Sequence, residues 1–184
     1  LENASIWIHM QYKFLLELLR SGNSELFYEH FKQAFIPFLS SETYGRSIYE
    51  NSSFIASSAF PEERIHGRGF YARLSGATAE ALQILHIMLT GEFPFQYDGT
   101  SLYLEFTPQI PDWLFDENNQ VSFTLFGNTT VTYQNSKRLS TENCVIARIE
   151  VDGTTYNGSK LPEDVAMAVR ERKVTNVSVF LENK

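Results

Sequence analysis

The chain has 184 residues, of which 43% are hydrophobic, so it is long enough to bury the core of one domain or of two small ones. Its formal net charge of −7 argues against a nucleic-acid-binding role, because such binding depends on neutralising many phosphates with a basic surface. A single cysteine, Cys144, rules out a disulfide within the chain and fits a reducing, cytoplasmic setting. No apolar run approaches 20 residues, so the sequence predicts no membrane span.

The first part of the sequence has the apolar spacing of helices. Apolar residues recur at helical intervals between Ser5 and Leu19, and Gly22 stands where that helix is expected to end. Ser24 is placed to cap a second helix, whose apolar face continues to Phe35. Two antiparallel helices joined by a short turn are the repeating unit of an α/α barrel and equally of a simple bundle, so this pattern leaves both open.

A long segment without periodicity separates these helices from a third. Residues 38–74 are rich in Ser, Gly and charged residues, and we predict a long loop of the kind that usually has a function. The third helix is predicted to begin at Ser75 and to end near Thr90, where Gly91 follows.

After Gly91 the hydrophobic period changes to that of strands. Alternating segments rich in β-branched and aromatic residues occupy positions 101–106, 121–126, 129–133 and 145–151. Gly127-Asn128 and Asp152-Gly153 are predicted hairpin turns. A short helix over 164–172 and a closing strand over 174–181 complete the pattern. The sequence therefore predicts an α+β chain, with helices in residues 1–93 and an antiparallel β domain of sandwich or jelly-roll type in residues 94–184.

The start of the third helix is a candidate anion site. A helix N-terminus presents free N–H groups and a partial positive charge, so Ser75 and Gly76 are suited to bind a phosphate without a motif lysine. We expect His9 and an arginine to complete the site, with Arg68 favoured because glycines flank it. Each residue also has an ordinary explanation, His9 as a surface histidine of a helix and Ser75 as an N-cap. The sequence has no metal-ligand spacing of His, Cys or carboxylates, and no metal or other cofactor is expected.

Two of these segments resemble motifs of glycoside hydrolase family 94, the inverting glycoside phosphorylases. Residues 2–9, Glu-Asn-Ala-Ser-Ile-Trp-Ile-His, are similar to the family's Glu-Asn-Gly-Gly-Ile-Phe-x-His, and residues 74–79, Leu-Ser-Gly-Ala-Thr-Ala, to its Leu-Thr-Gly-Ser/Thr-Ala-Ala. The loops between them look like the family's Glu-Pro-Tyr and His-x-Gly-Arg loops, and the likeness continues to about Asn135. The sequence of residues 44–55 is most similar to that of the family members that act on 1,2-β-oligoglucans. Three departures stand out: Ala4-Ser5 replaces two glycines, Ser75 replaces threonine, and Leu1 stands where a lysine often precedes the motif.

The resemblance implies a fold and a set of site residues. Residues 1–93 would be the last helices of an (α/α)6 catalytic barrel, and residues 94–184 a C-terminal jelly-roll-like domain. The long loop would then lie over the mouth of the barrel. His9, Ser75, Gly76 and Arg68 would bind phosphate, and Glu2 would hydrogen-bond a sugar hydroxyl.

The implied activity is reversible phosphorolysis of a β-glucoside, most closely a β-1,2-oligoglucan, with inversion to α-glucose 1-phosphate. Phosphate takes the place of the water of an inverting glycosidase, so it is a substrate and not a cofactor. The general acid would be an aspartate upstream of this chain, which would therefore supply half of the active site and be inactive alone. The expected partners are the oligosaccharide, phosphate, the rest of the same enzyme chain and a second copy in a homodimer.

Two other functions stay open at this stage. A non-enzymatic module that binds carbohydrate or packs subunits predicts a row of exposed aromatic residues on one sheet face, with Phe123, Phe126 and Tyr133 as candidates. A related phosphorylase or hydrolase that acts on another linkage would share the barrel but bind the sugar differently.

Overall fold

The computed structural model describes residues 3–72 and 76–184 and shows a mixed α+β chain. The chain divides into a first unit that ends at His86 and a second unit, Ile87–Lys184. This division lies inside a helix and before the boundary predicted after residue 93. Glu2 and Ser75, two of the predicted site residues, lie outside the described residues.

Two antiparallel helices, α1 (Ile8–Arg20) and α2 (Ser24–Ala34), form the core of the first unit. The turn between them is the one predicted: Gly22 has a φ of +72°, and the N–H of Asn23 donates to the carbonyl of Leu18. Each helix buries an apolar stripe, whose largest members include Tyr12, Leu15, Leu16, Phe27 and Phe31. The first helix begins three residues later than predicted, because residues Ser5–Trp7 form a short strand, β1.

The prediction of a long loop over residues 38–74 is wrong. This segment contains a strand pair, β2 (Ser52–Ala56) and β3 (Gly69–Ala72), together with a short helix, α3 (Ser41–Tyr44). Strand β2 pairs antiparallel with both β1 and β3, which gives a three-stranded sheet in the order β1-β2-β3. Packing against Tyr44 explains why the sequence does not look like strands: a Cβ on Gly69 would lie 2.2 Å from the ring of Tyr44.

The second unit contains two sheets. One has three strands in the order β10-β5-β4, where β4 is Phe95–Tyr97, β5 is Leu102–Glu105 and β10 is Lys160–Leu161. The other has five, in the order β6-β7-β11-β8-β9, and its members are Gln120–Leu125 (β6), Thr129–Gln134 (β7), Cys144–Val151 (β8), Thr154–Asn157 (β9) and Asn176–Asn183 (β11). Because β11 runs parallel to β7, the larger sheet is mixed and not purely antiparallel as predicted.

The predicted strands, turns and short helix of this unit are confirmed to within a few residues. Asp152 and Gly153 both have positive φ, +44° and +89°, as the tight turn between β8 and β9 requires. The Asp152 carboxylate also accepts the N–H groups of Thr175 and Asn176, which fixes the start of β11. Helix α5 (Glu163–Arg170) follows Pro162 and packs on β5.

A fourth and longer helix, α4 (Gly76–Thr90), confirms the third predicted helix. Its last turn belongs to the second unit. The carbonyl of Met88 accepts the N–H of Gln109, and the carbonyl of Leu89 accepts the hydroxyl of Tyr133 at 2.5 Å. No helix in the described ranges is long and apolar enough to cross a membrane.

Candidate functional site

The ends of β1 and β3 bring two predicted site residues together. Both strands pair antiparallel with β2, so they run in the same direction and finish at the same end of the sheet. His9 follows β1 directly, in the first turn of α1, and Gly76 follows β3 as the first residue of α4. A Cβ built on Gly76 would lie 2.5 Å from Cε1 and 2.6 Å from Nδ1 of His9. The imidazole edge therefore rests directly against the backbone at the start of α4.

Only glycine allows this contact. Real Cβ atoms do not approach other heavy atoms so closely, so any side chain at position 76 must displace the His9 ring. Helix α4 has 15 residues, long enough to carry a developed dipole with its positive end at Gly76. The His9 side chain is 44% exposed, so its ring is accessible to a ligand from solvent.

A carboxylate that sequence reasoning missed completes this arrangement. His9 Nε2 lies 3.2 Å from Oε1 of Glu80, whose side chain is only 16% exposed. Glu80 is four residues after Gly76, hence on the same face of α4, and this i,i+4 spacing was the available signal.

The contact defines the roles of the two ring nitrogens. An ionised carboxylate only accepts hydrogen bonds, so Nε2 of His9 donates to Glu80. Nδ1 has no hydrogen-bond partner within the described part of the chain. When the ring is protonated, Nδ1–H becomes a second donor that can serve an anion at the start of α4.

The structure does not bring Arg68 to this point. Arg68 precedes β3, and its carbonyl accepts the N–H of Ala56 at the opposite end of the sheet. The length of β3, roughly 3.3 Å per residue, therefore separates its backbone from the His9 end. Its side chain lies beside Gly45, where Cγ and Nε would each be 3.7 Å from an added Cβ.

Arg68 instead shares a shallow cavity with a second arginine. Arg46 donates from Nε to the carbonyl of Gly69 at 2.9 Å and lies 3.5 Å from a carboxylate oxygen of Glu50. Arg46 thus anchors the start of β3, and the two arginines form a separate basic group around the end of α3.

A buried tyrosine holds the segment that resembles the Glu-Pro-Tyr loop. The Tyr44 hydroxyl donates to the carbonyl of Glu50 and contacts Oγ of Ser52, each at 2.6 Å, while the N–H of Ser52 donates back to it at 3.0 Å. Burial raises the pKa of Tyr44, although hydrogen bonds with Ser52 oppose the shift. The phenol is therefore a neutral structural group that fixes the course of residues 50–52.

No group of three His, Cys, Asp or Glu side chains suited to a metal ion occurs within residues 3–72 and 76–184. Comparison with protein-family models gives no match, and comparison with curated proteins gives none that is significant. The likeness to family 94 consequently depends on the sequence motifs alone.

Proposed function

We propose that this chain forms the phosphate-binding half of the active site of an inverting glycoside phosphorylase that acts on a β-glucan, with a β-1,2-oligoglucan as substrate. The observation that carries the proposal is the packing of His9 against Gly76 at the first turn of α4. Two motif residues from distant parts of the sequence meet where a helix presents free N–H groups, which is the requirement for an anion site of this kind.

The proposed site binds phosphate through a combination of charge and backbone donors. In its protonated form His9 would donate from Nδ1 to a phosphate oxygen, while Glu80 holds the ring through its contact with Nε2. The N–H groups at the start of α4, with the Ser75 hydroxyl predicted from sequence, supply further donors. Phosphate held there attacks the anomeric carbon, and an acid on the opposite face protonates the leaving oxygen.

The proposal includes the rest of the enzyme. Helices α1, α2 and α4 would be the last helices of an (α/α)6 barrel, and the second unit would be its jelly-roll-like C-terminal domain. The general acid would be an aspartate elsewhere in a longer chain, with Glu2 contacting the sugar. We propose a cytoplasmic homodimer.

The test is phosphate kinetics in the intact enzyme. His9→Ala should weaken phosphate binding by about tenfold to a hundredfold, since a charge-assisted hydrogen bond contributes roughly 1.5–3 kcal/mol. The effect should fall equally on phosphorolysis and on synthesis from glucose 1-phosphate, with oligosaccharide binding unchanged. Lys13→Ala, on the exposed surface one turn further along α1, is the matched control. A folded His9→Ala enzyme with unchanged phosphate kinetics would refute the proposal.

A carbohydrate-binding module without catalysis is the second candidate, and one observation favours it. Trp7, Phe54 and Tyr71 come from the three strands of the first sheet, and their rings meet edge to face at 4.6 and 6.0 Å. Trp7 is 45% and Tyr71 56% exposed, as a platform that stacks on sugar rings requires.

The candidates named from sequence do not form such a row. Tyr133 is fully buried, stacked on Phe123. A binding module would bind the oligoglucan through Trp7 and Tyr71 with no response to phosphate, whereas the phosphorylase releases glucose 1-phosphate only when phosphate is present.

A further inference from the structure

A second cavity lies in the first unit and includes none of the residues of the phosphate site. It has a volume of about 670 Å³, is partly open to solvent, and is formed by α1, the end of α2, β2 and the turn before β3. Pockets that hold small-molecule ligands span roughly 300–1,000 Å³, so its size suits a ligand of one or two sugar rings. Neither His9, Gly76 nor Glu80 lines it.

The lining of this cavity is mainly apolar, and the polar side chains within it include no Asp, Glu, Lys or Arg among the described residues. Gln11, Gln33 and Thr43 project donors and acceptors there, and none of the three forms a side-chain hydrogen bond within residues 3–72 and 76–184. An amide both donates and accepts, which matches a hydroxyl group better than it matches a charged group. His30 and His66 add imidazoles on the same walls.

One wall of the cavity is apolar. Ile6, Ile8 and Ile55 contribute aliphatic surface, and Tyr44 stands next to them. Sugars present hydroxyl groups at their edges and C–H groups on their faces, so a binding site needs amides and hydroxyls together with a flat apolar surface.

We infer that this cavity binds a neutral carbohydrate unit at a site separate from the phosphate site. A ligand with a permanent charge would lose its hydration without a carboxylate, lysine or arginine among the described lining residues to replace it. A purely apolar ligand would leave the two glutamine amides unpaired. The site also differs from the row of aromatic rings formed by Trp7, Phe54 and Tyr71. Ile6 and Trp7 are neighbours in β1, so their side chains project to opposite faces of the strand. The inference does not depend on the proposed function.

The test is titration of the intact protein at pH 8 with D-glucose and a glucose disaccharide, followed by calorimetry and by NMR. Glucuronate is the charged probe of similar shape, and cyclohexanol the apolar one. We expect the neutral sugars to bind and to give intermolecular contacts to the methyl groups of Ile6 and Ile55. Gln11→Leu with Gln33→Leu, which keeps most of the volume but removes both amides, should weaken that binding tenfold or more. Glu29→Leu, exposed on α2 outside the cavity, should have no effect.

The result is distinguishable from the outcome at the phosphate site. Loss of glucose binding in the double glutamine variant with phosphate kinetics retained supports the inference, whether or not His9→Ala has an effect. Binding of glucuronate or cyclohexanol as tight as that of glucose would overturn it. Absence of sugar contacts to Ile6 and Ile55 in the unmodified protein would also overturn it, and this measurement needs no variant to fold.

Discussion

Replacing Gly76 by alanine adds one methyl group at the point where the His9 ring touches α4. The new Cβ would lie 2.5 Å from Cε1, 2.6 Å from Nδ1 and 2.7 Å from Nε2 of His9, so the ring must move. Because the His9 side chain is 44% exposed, it can rotate into solvent without disturbing the core. The contact with Glu80 is then lost along with the ring position.

The expected effect on stability is small, and the expected effect on phosphate is large. At the first residue of a helix, alanine is favoured over glycine by less than the roughly 1 kcal/mol of a helix interior, while a partly exposed ion pair contributes about 0–1 kcal/mol. The two nearly cancel, so Tm should change by only a few degrees in a chain of this size. Loss of the His9 donor should weaken phosphate binding by about tenfold to a hundredfold.

A double-mutant cycle separates this explanation from a general distortion of the helix start. We would measure phosphate affinity by calorimetry, and phosphorolysis rates, in the intact enzyme for Gly76→Ala, His9→Ala and the combination. If alanine at 76 acts by displacing the ring, it should have almost no further effect once His9 is gone. Full additivity of the two effects, or normal phosphate binding by Gly76→Ala, would refute the reasoning.

Three further changes test the surrounding structure. Glu80→Gln should raise the phosphate KM, measured at neutral pH, because the hydrogen bond that orients the His9 ring loses its charged acceptor. Ala4→Gly should raise the free energy of unfolding in denaturant by up to about 1 kcal/mol, since Ala4 has a φ of +60°. Tyr133→Phe should cost about 1 kcal/mol at neutral pH, because it removes the hydrogen bond to the Leu89 carbonyl. Burial raises the pKa of Tyr133, so this contribution is full below about pH 10, the usual tyrosine pKa, and should fade as pH rises above it.

Each of these expectations has a contrary result. An unchanged phosphate KM in Glu80→Gln would mean that the carboxylate does not hold the His9 ring for phosphate binding. A loss of stability in Ala4→Gly would mean that the left-handed residue is not strained. If Tyr133→Phe lowers the free energy of unfolding by the same amount at pH 8 and at pH 11, this would contradict the burial of a neutral phenol.

The elements of the second unit were predictable because local chemistry determines them. Residues 129–134 are mostly β-branched or aromatic, and Asp152-Gly153 is a sequence strongly preferred in tight hairpin turns. The order of the strands was not predictable. The parallel pairing of β11 with β7 joins segments far apart in the chain, and no local pattern records it.

The first unit shows where periodicity fails. The residues of β2 and β3 lack a strand pattern, because Ser52 hydrogen-bonds the Tyr44 hydroxyl and Gly69 packs against the Tyr44 ring. In the candidate site, His9 and Gly76 of the two motifs lie in contact. Glu80 was missed because its role depends on a histidine from another part of the chain. Phosphate binding itself stays a prediction.

The last turn of α4 determines where the chain can be divided for study in pieces. A fragment that begins at residue 94, the start of the β domain predicted from sequence, lacks the carbonyl of Leu89. The buried hydroxyl of Tyr133 is then left without its acceptor. An unpaired buried hydroxyl costs roughly 1–3 kcal/mol, a substantial part of the stability of a small domain. The N–H of Gln109 would lose the Met88 carbonyl as well. A fragment that begins at Gly76 keeps both acceptors, so the last turn of α4 is a structural member of the β unit.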